Sequence, residues 1–400
     1  MCLCISDEDM ATFLEVTISV DIGQVRKPEV IDHYPLTGAT ELRRRVRELG
    51  IRIGKMECGD RNSIADVPGV SVGQVSLVRG EGRLVPGKGP VRTGVTVILP
   101  HEGNVYKEKL RAGVHVQNGA GELTGALQVM EWGVLETPIA LTNTLNVGLV
   151  HDAIVEYMLE ENAGIGDQDE VILPIVGECD DSFLNDIQGR HVKREHVLEA
   201  IRSASKEVAE GSTGSGTGMS ALGFKAGIGT ASRRLADSSG KHTLGVLAMA
   251  NFGGDLSVDG VPVGRQIQAK EPRQNSGRSI ITVIATDAPL TASQLRRIAG
   301  RVPLALGRVG SASCNSSGDI SIAFSTAERI DATLVPITLT KQTVNSDVLD
   351  ELFRATVEAT EEAILNSIFR SDTMKGRDDH VSLGLPIDET MEIMKKHGRI

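Results

Sequence analysis

Short continuous runs of aliphatic and β-branched residues are separated along the chain by longer segments whose apolar positions recur every three or four residues. The continuous runs predict strands over residues 94–99, 138–142, 171–176, 243–250, 280–286, 319–325 and 332–337. The three-to-four spacing predicts helices over residues 148–160, 194–206, 292–308 and 346–370. In the third, Thr291 and Gln294 stand as N-cap and N3 of a capping box, and Leu295, Ile298, Val302, Leu306 and Val309 share one face. Pro303 interrupts the intrahelical bonding and is expected to kink that helix. The last helix buries Leu349, Leu352, Phe353, Val357, Ile364 and Ile368. Shorter pieces are an added strand at 12–20, a helical turn or two over 41–49 ending at Gly50, and a helical stretch at 391–396 in a charged tail. Strands and helices come in blocks rather than in strict alternation, which favours an α/β fold of sheets layered between helices over a doubly wound parallel sheet.

Composition narrows the class. With 40% hydrophobic and 24% charged residues, the 400-residue chain reads as a soluble globular protein with ample core. Aromatics are only 3%, so Val, Ile, Leu and Ala must fill that core. A net charge of −11 and the lack of a basic stripe argue against a nucleic-acid partner. No apolar run approaches the roughly 18 residues of a membrane span, and the first residues lack the pattern of a signal peptide. The five cysteines are odd in number and scattered, as expected of reduced thiols in a cytoplasmic protein. Cys2-Leu3-Cys4 has no second Cys or His pair at zinc-site spacing, and the nine histidines do not cluster, which argues against a Ser-His-Asp triad; no metal or organic cofactor is implied.

The chemistry centres on the junction between the polar stretch 271–278 and the apolar run that opens at Ser279. Cleavage before Ser279 would make it a chain's first residue, with a hydroxyl nucleophile and an α-amine on one residue. That amine, with a pKa of about 7.7–8.0, is suited to act as the hydroxyl's base near neutrality. Taken alone, these residues favour the plainer reading in which Ser279 just begins a strand. Four further segments change the balance: Gly216-Thr217-Gly218-Met219, the run from Lys225 to Arg233, Ala250-Asn251-Phe252-Gly253 followed by Val258 to Gly264, and Ser316-Ser317-Gly318-Asp319. Earlier ones agree with them, at 64–73, 87–96, 118–125 and 141–144.

In this order and spacing, from about residue 42 to 370, the chain resembles the L-aminopeptidase/D-amidase/D-esterases and β-peptidyl aminopeptidases, which are self-processing N-terminal-serine peptidases. The resemblance implies a four-layer α-β-β-α sandwich of N-terminal-nucleophile-hydrolase type with the nucleophile on a central strand. It implies one composite catalytic domain cut between Arg278 and Ser279 into parts 42–278 and 279–400, preceded by an extension over 1–41, and assembly into tetramers of processed heterodimers. Ser279 matches the nucleophile, Ser317 and Asp319 the Ser-Gly-acid motif that orients it, and Asn251 the oxyanion donor.

Ser317 and Asp319 lie two apart and so project to one face of an extended segment, though the same residues also make a turn before a strand. Asn251 reads alternatively as a strand end. Glu131 and Glu122 are the candidates for gripping a substrate's free ammonium, and either also reads as a surface carboxylate. Two departures stand out. Arg278 occupies a position where relatives carry a small residue or asparagine, and Leu145 stands where some carry a tyrosine. The function implied is an autoproteolytically activated serine aminopeptidase acting on short peptides, amides or esters. An acyltransferase on the same fold and an unprocessed, non-catalytic homologue are the alternatives.

Overall fold

Two sheets pack face to face in the computed structural model, which describes residues 43–268, 279–331 and 343–400. The smaller has the order β1 (Ser71–Arg79), β2 (Val91–Leu99), β5 (Ile139–Asn143), β6 (Ile175–Cys179). The larger runs β4 (Val134–Leu135), β3 (Glu108–Gly119), β12 (Gly318–Asp331), β11 (Ser279–Thr286), β10 (Thr243–Asn251), β9 (Ile228–Arg234). A two-stranded hairpin, β7 (Ser220–Ala221) and β8 (Phe224–Lys225), precedes β9. The helices are α1 (Ala126–Trp132), α2 (Val147–Glu161), α3 (Arg194–Arg202), α4 (Val263–Gln268), α5 (Ala292–Ala299), α6 (Val302–Arg308), α7 (Ser346–Phe369) and α8 (Ile387–Lys396).

The layers follow from which faces are apolar. Ile98, Leu141 and Ile175 of the small sheet meet Ile281, Val283 and Phe324 of the large one. Val150, Ile154 and Val197 of α2 and α3 cover the outer face of the small sheet. Leu295, Leu306 and Ile364 of α5, α6 and α7 cover the outer face of the large sheet. The result is the expected α-β-β-α sandwich. Both faces of β11 are covered and every residue from Ser279 to Thr286 is buried, which is why this strand reads as a continuous apolar run rather than an alternating one. It pairs in parallel with β12 and antiparallel with β10.

A buried ion network fastens α7 to the large sheet. Arg233 of β9, fully buried, contacts Glu358 at 3.2 Å and Glu362 at 2.7 Å, and Arg47 closes on Glu362 at 2.8 Å. The turn at Arg47–Leu49 ends at Gly50, whose φ of 88° is the left-handed conformation glycine adopts without strain.

Several elements depart from the sequence expectation. The Thr291–Gln294 capping box is present, but α5 ends at Ala299, and Pro303 lies in the first turn of a separate α6. A proline there loses nothing, since first-turn N–H groups have no intrahelical partner. The run at 171–176 pairs only from Ile175, after Pro174, while Val171 and Leu173 are exposed. Helix α3 stops at Arg202, four residues short of its expected end. Strands β1, β3, β4, β7, β8 and β9 and helices α1 and α4 were not anticipated. In β3 the buried Leu110, Ala112 and Val114 alternate with Lys109, Arg111 and Gly113, so its apolar run is broken at every second residue. The expected strands at 12–20 and 332–337 fall outside the described residues. Among the described residues no helix is long and apolar enough to cross a membrane.

Candidate active site

Ser279 is the first residue of β11, in the middle of the large sheet. Directly across the antiparallel ladder from it stands Asn251, the last residue of β10. Directly opposed residues put their side chains on the same face with Cβ atoms roughly 4.5–5.5 Å apart, so the hydroxyl and the amide are neighbours. On the other side, the register Ile280↔Asp319 puts Gly318 level with Ser279. The Gly318 N–H donates to Ser279 Oγ at 3.2 Å. Ser279, Asn251, Ser317 and Asp319 are all buried.

The Ser317 hydroxyl donates to Asp319 Oδ1 at 2.5 Å, as the two-residue spacing predicts. The Asn118 amide donates to the other carboxylate oxygen at 3.3 Å and to the Cys314 carbonyl at 3.1 Å, tying β3 to the loop before β12. Asp319 is level with Ile280, one residue out of step with the Ser279 side chain. Its carboxyl therefore addresses the main chain at the head of β11 rather than sharing a face with the hydroxyl.

The Asn251 amide is pinned at both ends. Its Oδ1 accepts from the Ser220 N–H at 3.0 Å and its Nδ2 donates to the Asp180 carbonyl at 2.8 Å. Nδ2 carries two protons, so one remains for another acceptor.

The two glutamates separate. Glu131 lies on the exposed side of α1, just before Gly133, whose carbonyl accepts from the Ala112 N–H. Ala112 is seven residues along β3 from Gly119, the partner of Gly318, or about 23 Å at strand rise. The structure therefore does not bring Glu131 to Ser279. Glu122 is beside the site but its side chain is exposed, and its main-chain N–H turns inward to a third carboxylate. That carboxylate is Glu178, near the end of β6 and buried, which the sequence reading missed. Glu178 accepts from the Glu122 N–H at 3.0 Å and from the Thr144 hydroxyl. A close pass of two glycines brings it to the nucleophile: a Cβ on Gly121 would stand 2.9 Å from Gly318 Cα and 3.1 Å from Glu178 Oε1. Burial pushes its carboxyl above the ordinary range, against the pull of the Thr144 and Glu122 donors. Among the described residues no lysine, arginine or histidine pairs with it. The available signal was its position: it is a polar residue one short of the end of a buried apolar strand, much as Asn251 ends β10.

Arg278 falls outside the described residues. The arrangement joins a buried hydroxyl, an amide side chain across the strand ladder from it, a hydrogen-bonded Ser–Asp couple beside the head of its strand, and a buried carboxylate that no cation among the described residues pairs with. That set can perform acyl transfer on a substrate with a positive amino end.

Comparison with known proteins agrees. Peptidase family S58 matches residues 62–382. Over 392 residues the chain is 41% identical to the beta-peptidyl aminopeptidase BapA of Sphingosinicella microcystinivorans, covering 93% of this chain and 98% of that protein. A protein from Pyrococcus horikoshii OT3 of solved structure superposes with a TM-score of 0.86 at 51% identity, over 89% of this chain and all (100%) of that one. The L-aminopeptidase D-Ala-esterase/amidase of Ochrobactrum anthropi, a prototype for the serine aminopeptidases and a variant of the Ntn hydrolase fold, superposes with a TM-score of 0.82 at 36% identity, over 89% and 99% of the two chains. The chain belongs to peptidase family S58 and is a serine aminopeptidase with the Ntn hydrolase fold.

Proposed function

We propose that the chain frees its own nucleophile by cutting the Arg278–Ser279 bond and then removes N-terminal residues from short peptides, amides or esters. The observation that carries this reading is the place of Ser279: first residue of a central strand, opposite Asn251, with the Gly318 N–H on its oxygen. In self-processing, Ser279 Oγ attacks the carbonyl of residue 278. The C–N bond breaks as the acyl group shifts from nitrogen to oxygen, and water hydrolyses the resulting ester. Parts 42–278 and 279–400 stay interleaved in one domain, because β11 and β12 complete a sheet whose other strands precede the cut. The extension at 1–41 precedes that domain.

In turnover the α-amine of Ser279 takes the hydroxyl proton as Oγ attacks the substrate carbonyl, and later returns it to the leaving amine. The free Nδ2 proton of Asn251 meets the oxyanion. Asp319, with Ser317 on its carboxylate, holds the ammonium form of the Ser279 amine. Water then releases the acyl-enzyme. Glu178 receives the substrate's amino end, in place of Glu131, with Glu122 at the rim. No metal or organic cofactor enters these steps. Leu127, Met130 and Trp132 of α1 are 82%, 54% and 59% exposed, which supports burial against another copy and a tetramer of processed heterodimers. The odd, scattered cysteines, with Cys58, Cys179 and Cys314 free among the described residues, favour the cytoplasm, and the net charge of −11 argues against nucleic acid and anionic membranes as partners.

The test is hydrolysis of amino-acid p-nitroanilides and short free-amine peptides beside their N-acetylated forms, with an acceptor amine present in a parallel arm. Free-amine substrates are cleaved and blocked ones are not. Comparable kcat/KM for both overturns the aminopeptidase specificity, predominant transfer to the amine makes the protein an acyltransferase, and no turnover at all fits the non-catalytic homologue.

A further inference from the structure

A lysine lies entirely inside the protein behind Asn251. Lys225, at the end of β8, is fully buried, and among the described residues no carboxylate forms an ion pair with it. Its Nζ donates instead to three main-chain carbonyls: Met219 at 2.7 Å, Ala226 at 2.6 Å and Gly216 at 3.4 Å. Three acceptors around one nitrogen need three N–H donors, which the ammonium has and the neutral amine lacks. Burying a charge in this way is costly unless it is well solvated by the protein, so its placement calls for a reason. Burial pushes the Lys225 pKa down to about 7, against the opposing pull of Asp181, which is itself buried, held by the Asn185 amide at 2.9 Å and raised to about 7 by its own burial; the three carbonyls are what favour the ammonium form.

The reason lies in one peptide group. The Met219 carbonyl that accepts from Lys225 and the Ser220 N–H that donates to Asn251 Oδ1 are the two ends of the same planar unit. We propose that Lys225 is a positioning residue, which through the Met219–Ser220 peptide orients the Asn251 amide and polarises it as a donor to the reacting oxygen. This rests on the reading of Asn251 as the oxyanion donor. Positive charge at the Met219 oxygen draws electron density from the peptide and makes the Ser220 N–H a stronger donor. The Ser220 N–H in turn draws density from Asn251 Oδ1, and the Nδ2 protons become stronger donors by the same resonance. The orientation is settled too. A flipped amide would set Nδ2 against the Ser220 N–H and Oδ1 against the Asp180 carbonyl, losing both bonds.

The loop that carries the peptide has no room to move away from the lysine. A Cβ at Gly216 would lie 2.4 Å from the Ile228 nitrogen, and one at Gly218 would lie 2.2 Å from the Arg92 carbonyl oxygen and 2.8 Å from Asp181 Cβ. Glycine at both positions lets the segment run flush against its neighbours, with the Met219 carbonyl facing Lys225.

A double-mutant cycle tests this, counting turnover per chain that carries a free Ser279 amino end. Lys225→Met keeps the bulk and removes the charge. It should lower kcat about tenfold with KM changed less than about twofold, while in an Asn251→Ala background the same substitution should change kcat by less than about twofold. A Lys225 that merely braces the hairpin gives the same loss in both backgrounds, and that result overturns the proposal. If Asn251→Ala alone leaves kcat near normal, the oxyanion reading itself fails and this inference falls with it. Circular dichroism establishes that each variant is folded. Where methionine is not accepted, Lys225→Gln, which keeps two N–H donors without the charge, takes its place in the cycle.

Discussion

Replacing Glu178 by glutamine is the sharpest perturbation of the substrate's amino end. The change is isosteric. The Glu122 N–H can still donate to the amide oxygen, and the Thr144 hydroxyl can turn to accept from the new NH2 group. The local packing therefore survives while the charge is lost. In the native protein an incoming ammonium would meet a buried carboxylate that no cation among the described residues pairs with, so the bond it makes is charge-assisted and shielded from water. A hydrogen bond to a charged group is worth about 1.5–3 kcal/mol, which is roughly a 10- to 150-fold loss in kcat/KM at 1.36 kcal/mol per decade. Most of it should fall in KM, since the ammonium is bound in the ground state and the transition state alike. The assay is kcat/KM for an amino-acid p-nitroanilide and its N-acetylated form, measured on wild type and on Glu178→Gln, Glu122→Gln and Glu131→Gln. The preference for the free amine should shrink by that factor in Glu178→Gln and by less than about threefold in the other two. A collapsed preference in Glu131→Gln with an intact one in Glu178→Gln would refute the assignment.

The same carboxylate fixes an acid limb. Only its ionised form attracts an ammonium, and burial raises its pKa, so kcat/KM for free-amine substrates should fall with decreasing pH through an apparent pKa above the ordinary glutamate value. Glu178→Gln should lack that limb; its persistence there would assign the titration elsewhere. Gly318→Ala would place a Cβ 2.7 Å from Gly121 Cα, prising apart the glycine contact that holds Glu178 beside Ser279. A loss of about 1–3 kcal/mol in denaturant unfolding together with a raised KM is expected, and a variant of native stability and KM would contradict the packing argument. Glu362→Ala leaves Arg233 buried with only Glu358 to compensate it, and should cost about 3–5 kcal/mol while kcat per folded molecule stays unchanged. A cost below 1 kcal/mol, read from the denaturation midpoint, would show that the network is not needed.

Much of this arrangement was legible in the chain. The buried strand that opens at Ser279 announces itself because both of its faces are covered, leaving no polar alternation to obscure the run. Ser317 and Asp319 converge because side chains two apart on an extended segment share a face, here where the chain enters β12, and their bond follows from that spacing. Other parts could not be read locally. Glu131 looked suitable by type, yet its distance from Ser279 depends on where β3 pairs with β12, a contact across some two hundred residues of chain. Glu178 reaches the site only through the Gly121–Gly318 pass and a fold of two facing sheets. Lys225 sits in a segment that the resemblance marked, but its role depends on the main-chain carbonyls it touches, which side-chain identity does not reveal. Pro303 was placed correctly and its consequence was not: the chain uses it to start α6 rather than to bend one long helix.

The central claim is that Ser279 becomes the amino terminus of the working enzyme, and intact-mass measurement with N-terminal sequencing of freshly purified, active protein tests it most directly. The 42.6 kDa chain should appear as pieces of roughly 30 and 13 kDa, the smaller beginning Ser279-Ile280-Ile281. Ser279→Ala should stay whole and inactive, because one hydroxyl performs both the self-cleavage and the turnover. A fully active sample containing only the uncut chain, or a Ser279→Ala protein that still splits at this bond, would contradict the account.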